Sequence, residues 1–349
     1  SEMCIRDSYC MSSFLTFRYI VDDNKSFSNK LPHRIFNYIP ENEKFICFTA
    51  EDINQYLQKQ LLDIDPQHTG LLLSGGIDSA ILASFMPKGM KAYTARCIAP
   101  NAVDETKQAK RYCEINGLIH KIVDVTWDDY DKYMDQLMLY DGCPVFANEP
   151  QVYKLVREMK KDGITKIIYG DSADMVFGGY DRLLSRDWTY EEWKNRFSFV
   201  KLDKVLHQWT NMDLVYERYK KPNGNIDYLY FMDIVFNASS SGAYINAFDY
   251  GKMDYLDPYA RLKMGDKLDL SRVRNGESKY LLRELFKMKY PDLDIPEKIA
   301  MARAVDYWLK EWKGPERYEF KPECTREMSG EQKFLVYSLE RFLNIADID

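Results

Sequence analysis

Short apolar runs and amphipathic runs take turns along the first half of the chain. Phe14 to Val21 (FLTFRYIV) is β-branched and aromatic, which predicts a strand. Asp22 to Pro40 reads as loop, broken by Pro32 and Pro40. Lys44 to Thr49 predicts a second short strand. Glu51 to Asp63 carries Ile53, Tyr56, Leu57 and Leu61 at helical spacing. A regular alternation follows. Strands are predicted over Gly70–Leu73, Lys91–Cys97, Leu118–Val125 and Ile164–Tyr169. Helices are predicted over Ser79–Phe85, Asp104–Asn116 (stopped by Gly117), Asp128–Tyr140 and Gln151–Asp162.

Strands alternating with helices predict an α/β fold, a parallel sheet with flanking helices. After Tyr180 the strand signal fades. Residues 187–349 read as a mostly helical C-terminal part, with a loop around Lys220–Asp227, and a boundary is expected near residue 185. An α/β domain over 51–185 is therefore expected, with 186–349 completing the site. The first ten residues follow neither period. They are expected to be non-native, with Met11 the true start.

Composition narrows the classes. The chain has 349 residues, 46% of them hydrophobic, enough for a sizeable core in two domains or one large one. Its net charge of -6 argues against a long nucleic acid as partner. The seven cysteines are scattered with no CxxC pair, and the four histidines show no ligand spacing. That pattern predicts free thiols and a cytoplasmic location. No apolar run reaches transmembrane length, so no membrane partner is expected.

The candidate chemistry begins at Leu71–Ser79 (LLLSGGIDS). A buried strand ends at Leu73, small residues turn sharply, and a helix begins. Gly75 and Gly76 allow close backbone approach to a ligand. Exposed amides at a helix start make an anion site, and Ser74 and Ser79 add hydroxyls. Asp78 would repel phosphate directly but suits Mg²⁺, which bridges carboxylate and phosphates. A lone SGG turn would be an ordinary turn; its place at the head of an α/β pattern is what gives it weight.

SGGIDS resembles the pyrophosphate loop of the ATP pyrophosphatases, which cleave ATP between its α and β phosphates. Gly170–Tyr180 (GDSADMVFGGY) is similar to the catalytic loop of the asparagine synthetase family. Further matches fall in order: Asp104-Glu105 opening a helix, Tyr255-Leu256-Asp257-Pro258, Lys279 with Arg283, and Pro296-Glu297-Lys298. The resemblance implies an ATP pyrophosphatase fold, ATP and Mg²⁺ as cofactors, and a carboxylate and ammonia or an amine as substrates. Ser74, Gly75, Gly76 and Ser79 would hold pyrophosphate. Asp78 and Asp174 would hold Mg²⁺. Lys298 would offset charge developing at the α-phosphate. Adenine would lie against backbone at Leu71–Leu73 and around Cys97. Gly170 and Asp171 open the catalytic loop, Asp171 standing where the family's proton-transferring glutamate does.

Two departures stand out. Phe14–Ile20 resembles the linker that follows the family's glutaminase domain, so residues 11–50 are expected as residual linker strands. The nitrogen would then come from free ammonia, a separate glutaminase partner or an amine. Asp171 is also shorter than the family glutamate by a methylene, and Met175 replaces a second acid. Relatives that make β-lactams carry other residues there too. Aspartate with ammonia is the simplest assignment, and a specialised ligase or cyclase on another acid is the alternative. A tRNA-modifying enzyme would predict a basic surface. A non-catalytic nucleotide-binding module would sit poorly with Asp78, Asp174 and Lys298. Asp141, Glu149 and Arg157 are candidate substrate contacts, ordinary loop or helix-start polarity being the favoured reading of each taken singly, and a Ser239–Gly242 turn is a candidate pocket wall or, equally, a helix junction. Residues 301–349 read as a helical tail that covers the site or packs on the sheet.

Overall fold

The computed structural model describes residues 2–297 and 301–346. A five-stranded parallel sheet runs through the molecule in the order β4-β3-β2-β5-β6. Its strands are β2 (Thr69–Leu72), β3 (Lys91–Cys97), β4 (Ile119–Val125), β5 (Lys166–Ile168) and β6 (Asp254–Leu256). A second sheet pairs β1 (Phe45–Cys47) with β7 (Leu262–Met264), also in parallel. Helices flank both faces, as all-parallel sheets require. The predicted α/β alternation is borne out.

The strand order reverses at β2. The chain first steps outward to β3 and β4, then returns to place β5 on the other side of β2, with Leu71 opposite Ile168. The loops leaving β2 and β5 are therefore neighbours at a topological switch point, where open α/β sheets bind their ligands. Both glycine loops noted in the sequence leave from this point.

Helices α2 (Ala50–Gln60), α3 (Ile77–Ala83), α4 (Thr106–Asn116), α5 (Trp127–Asp141) and α6 (Glu149–Lys161) lie close to their predicted spans. Local chemistry sets their ends. Thr49 and Thr126 close capping boxes on α2 and α5, and Gly117 ends α4 in the left-handed region at φ 69°.

Two expectations fail. Phe14–Val21 is not a strand: residues Glu2–Phe17 form one helix, α1, which also takes in the segment expected to follow no period. Cys10, Met11, Phe14 and Leu15 stand at helical spacing and are buried in the core beside the C-terminal helix Gly330–Ile345. That packing overrides the strand propensity of aromatic and β-branched residues. The C-terminal part, mostly helical as expected, also contributes β6 and β7, which complete sheets begun before residue 185. A strand of three residues is too short for periodicity to reveal.

Two apolar cores cover the faces of the main sheet. One holds α1, α5, α6 and the C-terminal helix; the other holds α2, α3, α4 and the helix Tyr280–Lys289. A third, strongly aromatic cluster around Trp193, Tyr216 and Phe231 builds the helical part, with Tyr216 and Phe231 stacked at 5.3 Å.

Candidate active site

A cleft of about 520 Å³ opens at the switch point. Leu73, Ser74, Gly76, Asp78, Ser79, Gly170, Asp171 and Asp174 all line it. The two loops recognised in the sequence thus share one cavity. Gly75 faces elsewhere: its amide donates to Glu105 Oε1 at 3.1 Å, and a Cβ there would meet that carboxylate at 3.2 Å. Burial raises the Glu105 pKa, with the Gly75 amide working against it. The Ser74 and Ser79 hydroxyls bond each other at 2.9 Å, and Ser79 Oγ also accepts from the Ser74 amide. These bonds fix the loop's turn and leave the start of α3, residues Ile77–Ser79, along the cleft.

The carboxylates of Asp78 and Asp174 meet at a side chain the motifs did not place. Lys279 Nζ lies 2.6 Å from Asp78 Oδ2 and 2.9 Å from Asp174 Oδ1. Lys279 is buried, and its backbone is left-handed at φ 53°, which is costly for a residue with a side chain. Burial pulls the ammonium's pKa down, and the two carboxylates outweigh it, so the group is held charged. Hard oxygen donors converging on one point are the donor chemistry that Mg²⁺ takes. Among the described residues no group of three or more His, Cys, Asp or Glu is placed to hold a metal ion. A cation held by this pair would complete its shell from phosphate and water.

The second loop is held from behind. Asp257, at the end of β6, accepts from the Ser172 amide at 2.8 Å and from the Tyr259 amide at 3.0 Å. The Tyr259 hydroxyl donates to the Asp78 carbonyl at 2.9 Å, so one short segment ties both loops together. Gly179 lets the chain close on Asp174, because a Cβ there would sit 1.9 Å from Asp174 Oδ1. Gly178 is left-handed at φ 74°, a conformation that favours glycine.

Asp171 lines the cleft and accepts from Ser241 Oγ at 2.9 Å. Burial, then the charges of Asp257 and Asp174, push its pKa up to about 7, against the pull of Ser241 and Ser240. A carboxylate poised near neutrality suits proton transfer. Ser239 and Ser240 also line the cleft, but from the helix Asn237–Tyr250 rather than from a turn.

Other expected residues fall elsewhere. Leu72, Leu73 and the β3 residues Tyr93, Thr94 and Ala95 line the cleft, whereas Cys97 does not: its thiol donates toward Gln151 and the Ala302 carbonyl. The Cys97 pKa is pushed up to about 11 by burial. Lys298 lies outside the described residues. Asp141, Glu149 and Arg157 are not among the lining residues; Glu149 is buried against Asn246, and Arg157 is exposed. Met301, Arg303 and Glu331 bring the tail into the wall while its helix packs on α1 and α5, so the tail both covers the cleft and packs. No helix among the described residues is long and apolar enough to cross a membrane.

Residues 59–307 match the asparagine synthase family. The chain belongs to that family. It is 27% identical over 125 residues to the nodule asparagine synthetase (glutamine-hydrolyzing) of Pisum sativum, covering 32% of this chain and 21% of that one. It is 26% identical over 157 residues to the Zea mays asparagine synthetase (glutamine-hydrolyzing), covering 41% and 26%. The alignments thus span about a fifth to a quarter of those relatives' length. Among solved structures, the NH3-dependent NAD synthetase of Campylobacter jejuni is similar over 37% of this chain and 58% of that one, at 19% identity and a TM-score of 0.26.

For this asparagine synthase-family chain, sequence motifs located the two loops but missed what joins them. Lys279 was visible as part of a family segment without a role. Asp257 was visible the same way. Glu105 was visible in the segment that opens a helix, and Ser241 within the candidate pocket wall, both without these roles; Tyr259 carries no signal that separates it from ordinary turn residues.

Proposed function

We propose that this chain is an ATP-dependent, AMP-forming carbon–nitrogen ligase. The observation that carries the reading is the convergence of Asp78, Asp174 and Lys279 on one point of a cleft that also holds Asp171. In the first step a carboxylate oxygen of the acid attacks the α-phosphorus of ATP, and the bond to the β-phosphate breaks to release pyrophosphate. In the second step an amine nitrogen attacks the acyl carbon, and AMP leaves with the former carboxylate oxygen. The proton shed by the nitrogen passes to Asp171, whose poised carboxylate is the base within the cleft.

Asp78 and Asp174 would hold Mg²⁺, which when bound offsets the charge of the phosphates. Lys279 keeps the two carboxylates together and charged. Ser74, Gly76, Ser79 and the start of α3 line the space for pyrophosphate. Lys298 would stabilise charge at the α-phosphate. Leu72, Leu73 and the adjoining β3 residues offer the wall for adenine.

Aspartate with ammonia is the simplest substrate pair, ammonia arriving free or from a separate glutaminase. A specialised ligase acting on another acid and an organic amine is the second reading. Asp171 in the place of a longer glutamate, with Met175 after Asp174, favours it, since a shorter base changes where the attacking nitrogen must sit. A cytoplasmic setting fits the free cysteines.

The test is pyrophosphate release from Mg²⁺-ATP across a panel of carboxylates, each with and without ammonia. Release with aspartate that requires ammonia supports the first reading. Release only with another acid or an organic amine supports the second. Silence across the panel from a protein that does not bind ATP would refute the ligase.

A further inference from the structure

The cleft reaches beyond the family-matched residues. Arg18, which follows α1, and Glu331, at the start of the C-terminal helix, lie outside residues 59–307 yet line its wall together with Phe146, Phe199 and Arg303. Arg18 is set into this wall firmly. Its backbone is left-handed at φ 70°, its amide donates to the Phe14 carbonyl at 2.7 Å, and its guanidinium lies 5.0 Å from the centre of the Phe199 ring and 5.5 Å from that of Phe146. Aromatic faces orient a guanidinium but take none of its N–H bonds.

Charge in this corner does not balance. Arg303 donates to Glu331 Oε1 at 2.7 Å and also bonds Asn148, so the one carboxylate at hand is committed to Arg303. Arg18 Nη1 is buried with no hydrogen-bond partner, and among the described residues no carboxylate lies within ion-pair distance of Arg18. The groups that act on Arg18 are Glu331, Arg303, Tyr216 and Arg196, two of them cationic. Burial, opposed by Glu331, pushes the Arg18 pKa down to about 10, which leaves it charged at neutral pH. A buried guanidinium N–H with no acceptor costs free energy, which an arriving anion would relieve.

We propose that Arg18 binds a free carboxylate of the acid being activated, distinct from the carboxylate that reacts. The substrate is then a dicarboxylic amino acid or a related diacid, with Arg18 as the residue that selects it. A planar carboxylate matches the guanidinium fork. A phosphate of the nucleotide offers the same oxyanion chemistry, and the test separates the two. The inference rests on reading the cleft as an acyl-activating site, and it adds the residue that selects the acid.

The test is calorimetry on the full chain with α,β-methylene-ATP and Mg²⁺, followed by titration of acids in matched pairs. L-aspartate is compared with β-alanine, and L-glutamate with 4-aminobutyrate; each pair differs by one carboxylate. In wild type at least one diacid is expected to bind about tenfold or more tightly than its partner, the scale of a charged hydrogen bond. Arg18→Met is expected to erase that difference and leave nucleotide affinity unchanged. Arg18→Lys, which keeps the charge without the fork, is expected to retain part of the difference and serves if Arg18→Met does not fold. No preference in any pair, a preference that survives Arg18→Met, or a loss confined to nucleotide binding would overturn the proposal. The pairs are also titrated without nucleotide, so absent nucleotide binding would count against the ligase while the Arg18 comparison stands.

Discussion

Lys279 Nζ stands 2.6 Å from Asp78 Oδ2, and the same ammonium reaches Asp174 Oδ1 at 2.9 Å. The two carboxylates come from loops on neighbouring strands, so one lysine ties the halves of the cleft together. Lys279→Met should leave the two acids facing each other without the ammonium that bridges them. Removing one partner of a buried ion pair costs about 3–5 kcal/mol. Urea unfolding should show a loss of that order without Mg²⁺ and a smaller loss with it, since a divalent cation can take the vacated place. An equal loss under both conditions would mean that the carboxylates do not form a cation site.

Asp171 makes a prediction of opposite sign. Its folded pKa lies near 7 and the unfolded value near 3.9. Between those values the folded state binds more protons, so stability falls as pH rises through the window. Asp171→Asn should therefore abolish ATP-dependent amide formation and raise stability by up to about 4 kcal/mol above pH 7, roughly three pKa units at about 1.4 kcal/mol each. The gain should vanish below about pH 4, where both states are protonated. Thermal melts across pH check this, and a gain that persists in acid would refute the raised pKa.

Ser241 tunes the same carboxylate. Its hydroxyl donates to Asp171 Oδ2 at 2.9 Å and favours the charged form. Ser241→Ala should move the acid limb of kcat/KM upward in pH by up to about a unit while leaving the alkaline plateau nearly intact. An unmoved limb would mean that the titrating base is another group.

Gly179→Ala should be damaging for a steric reason. The added Cβ would fall 1.9 Å from Asp174 Oδ1 and 2.9 Å from the Asp174 Cα, so the loop must move. A loss of about 2 kcal/mol or more and loss of pyrophosphate release are expected. Gly163→Ala is the control: it meets nothing within 4 Å and strains only its φ of 80°, at about 1 kcal/mol, with activity retained. Equal effects of the two substitutions on activity would undercut the role given to Asp174.

Much of this site can be read in the sequence, because its two loops follow strands and carry glycines at fixed places. The SGGIDS turn and the GDSADMVFGGY segment leave β2 and β5, and the switch point brings them together. What joins them is not periodic. Lys279 acts through a left-handed backbone at a helix start, and Asp257 acts from just past a strand of three residues. Arg18 sits in the middle of a run whose aromatic and β-branched composition predicts a strand. Only the burial of Phe14 and Leu15 against distant helices makes the first half of that run helical and places Arg18, just past the helix end, in the cleft wall. Contacts so far apart in the chain leave no local pattern.

The central claim is that the acid is activated as an acyl adenylate, and isotope transfer tests it most directly. An acid that supports pyrophosphate release is labelled with ¹⁸O in its carboxylates and turned over with Mg²⁺-ATP and its amine. If the carboxylate oxygen attacks the α-phosphorus, one ¹⁸O must appear in AMP, read by ³¹P NMR or mass spectrometry. Label in inorganic phosphate beside ADP, or in no phosphorus product at all, would contradict the account.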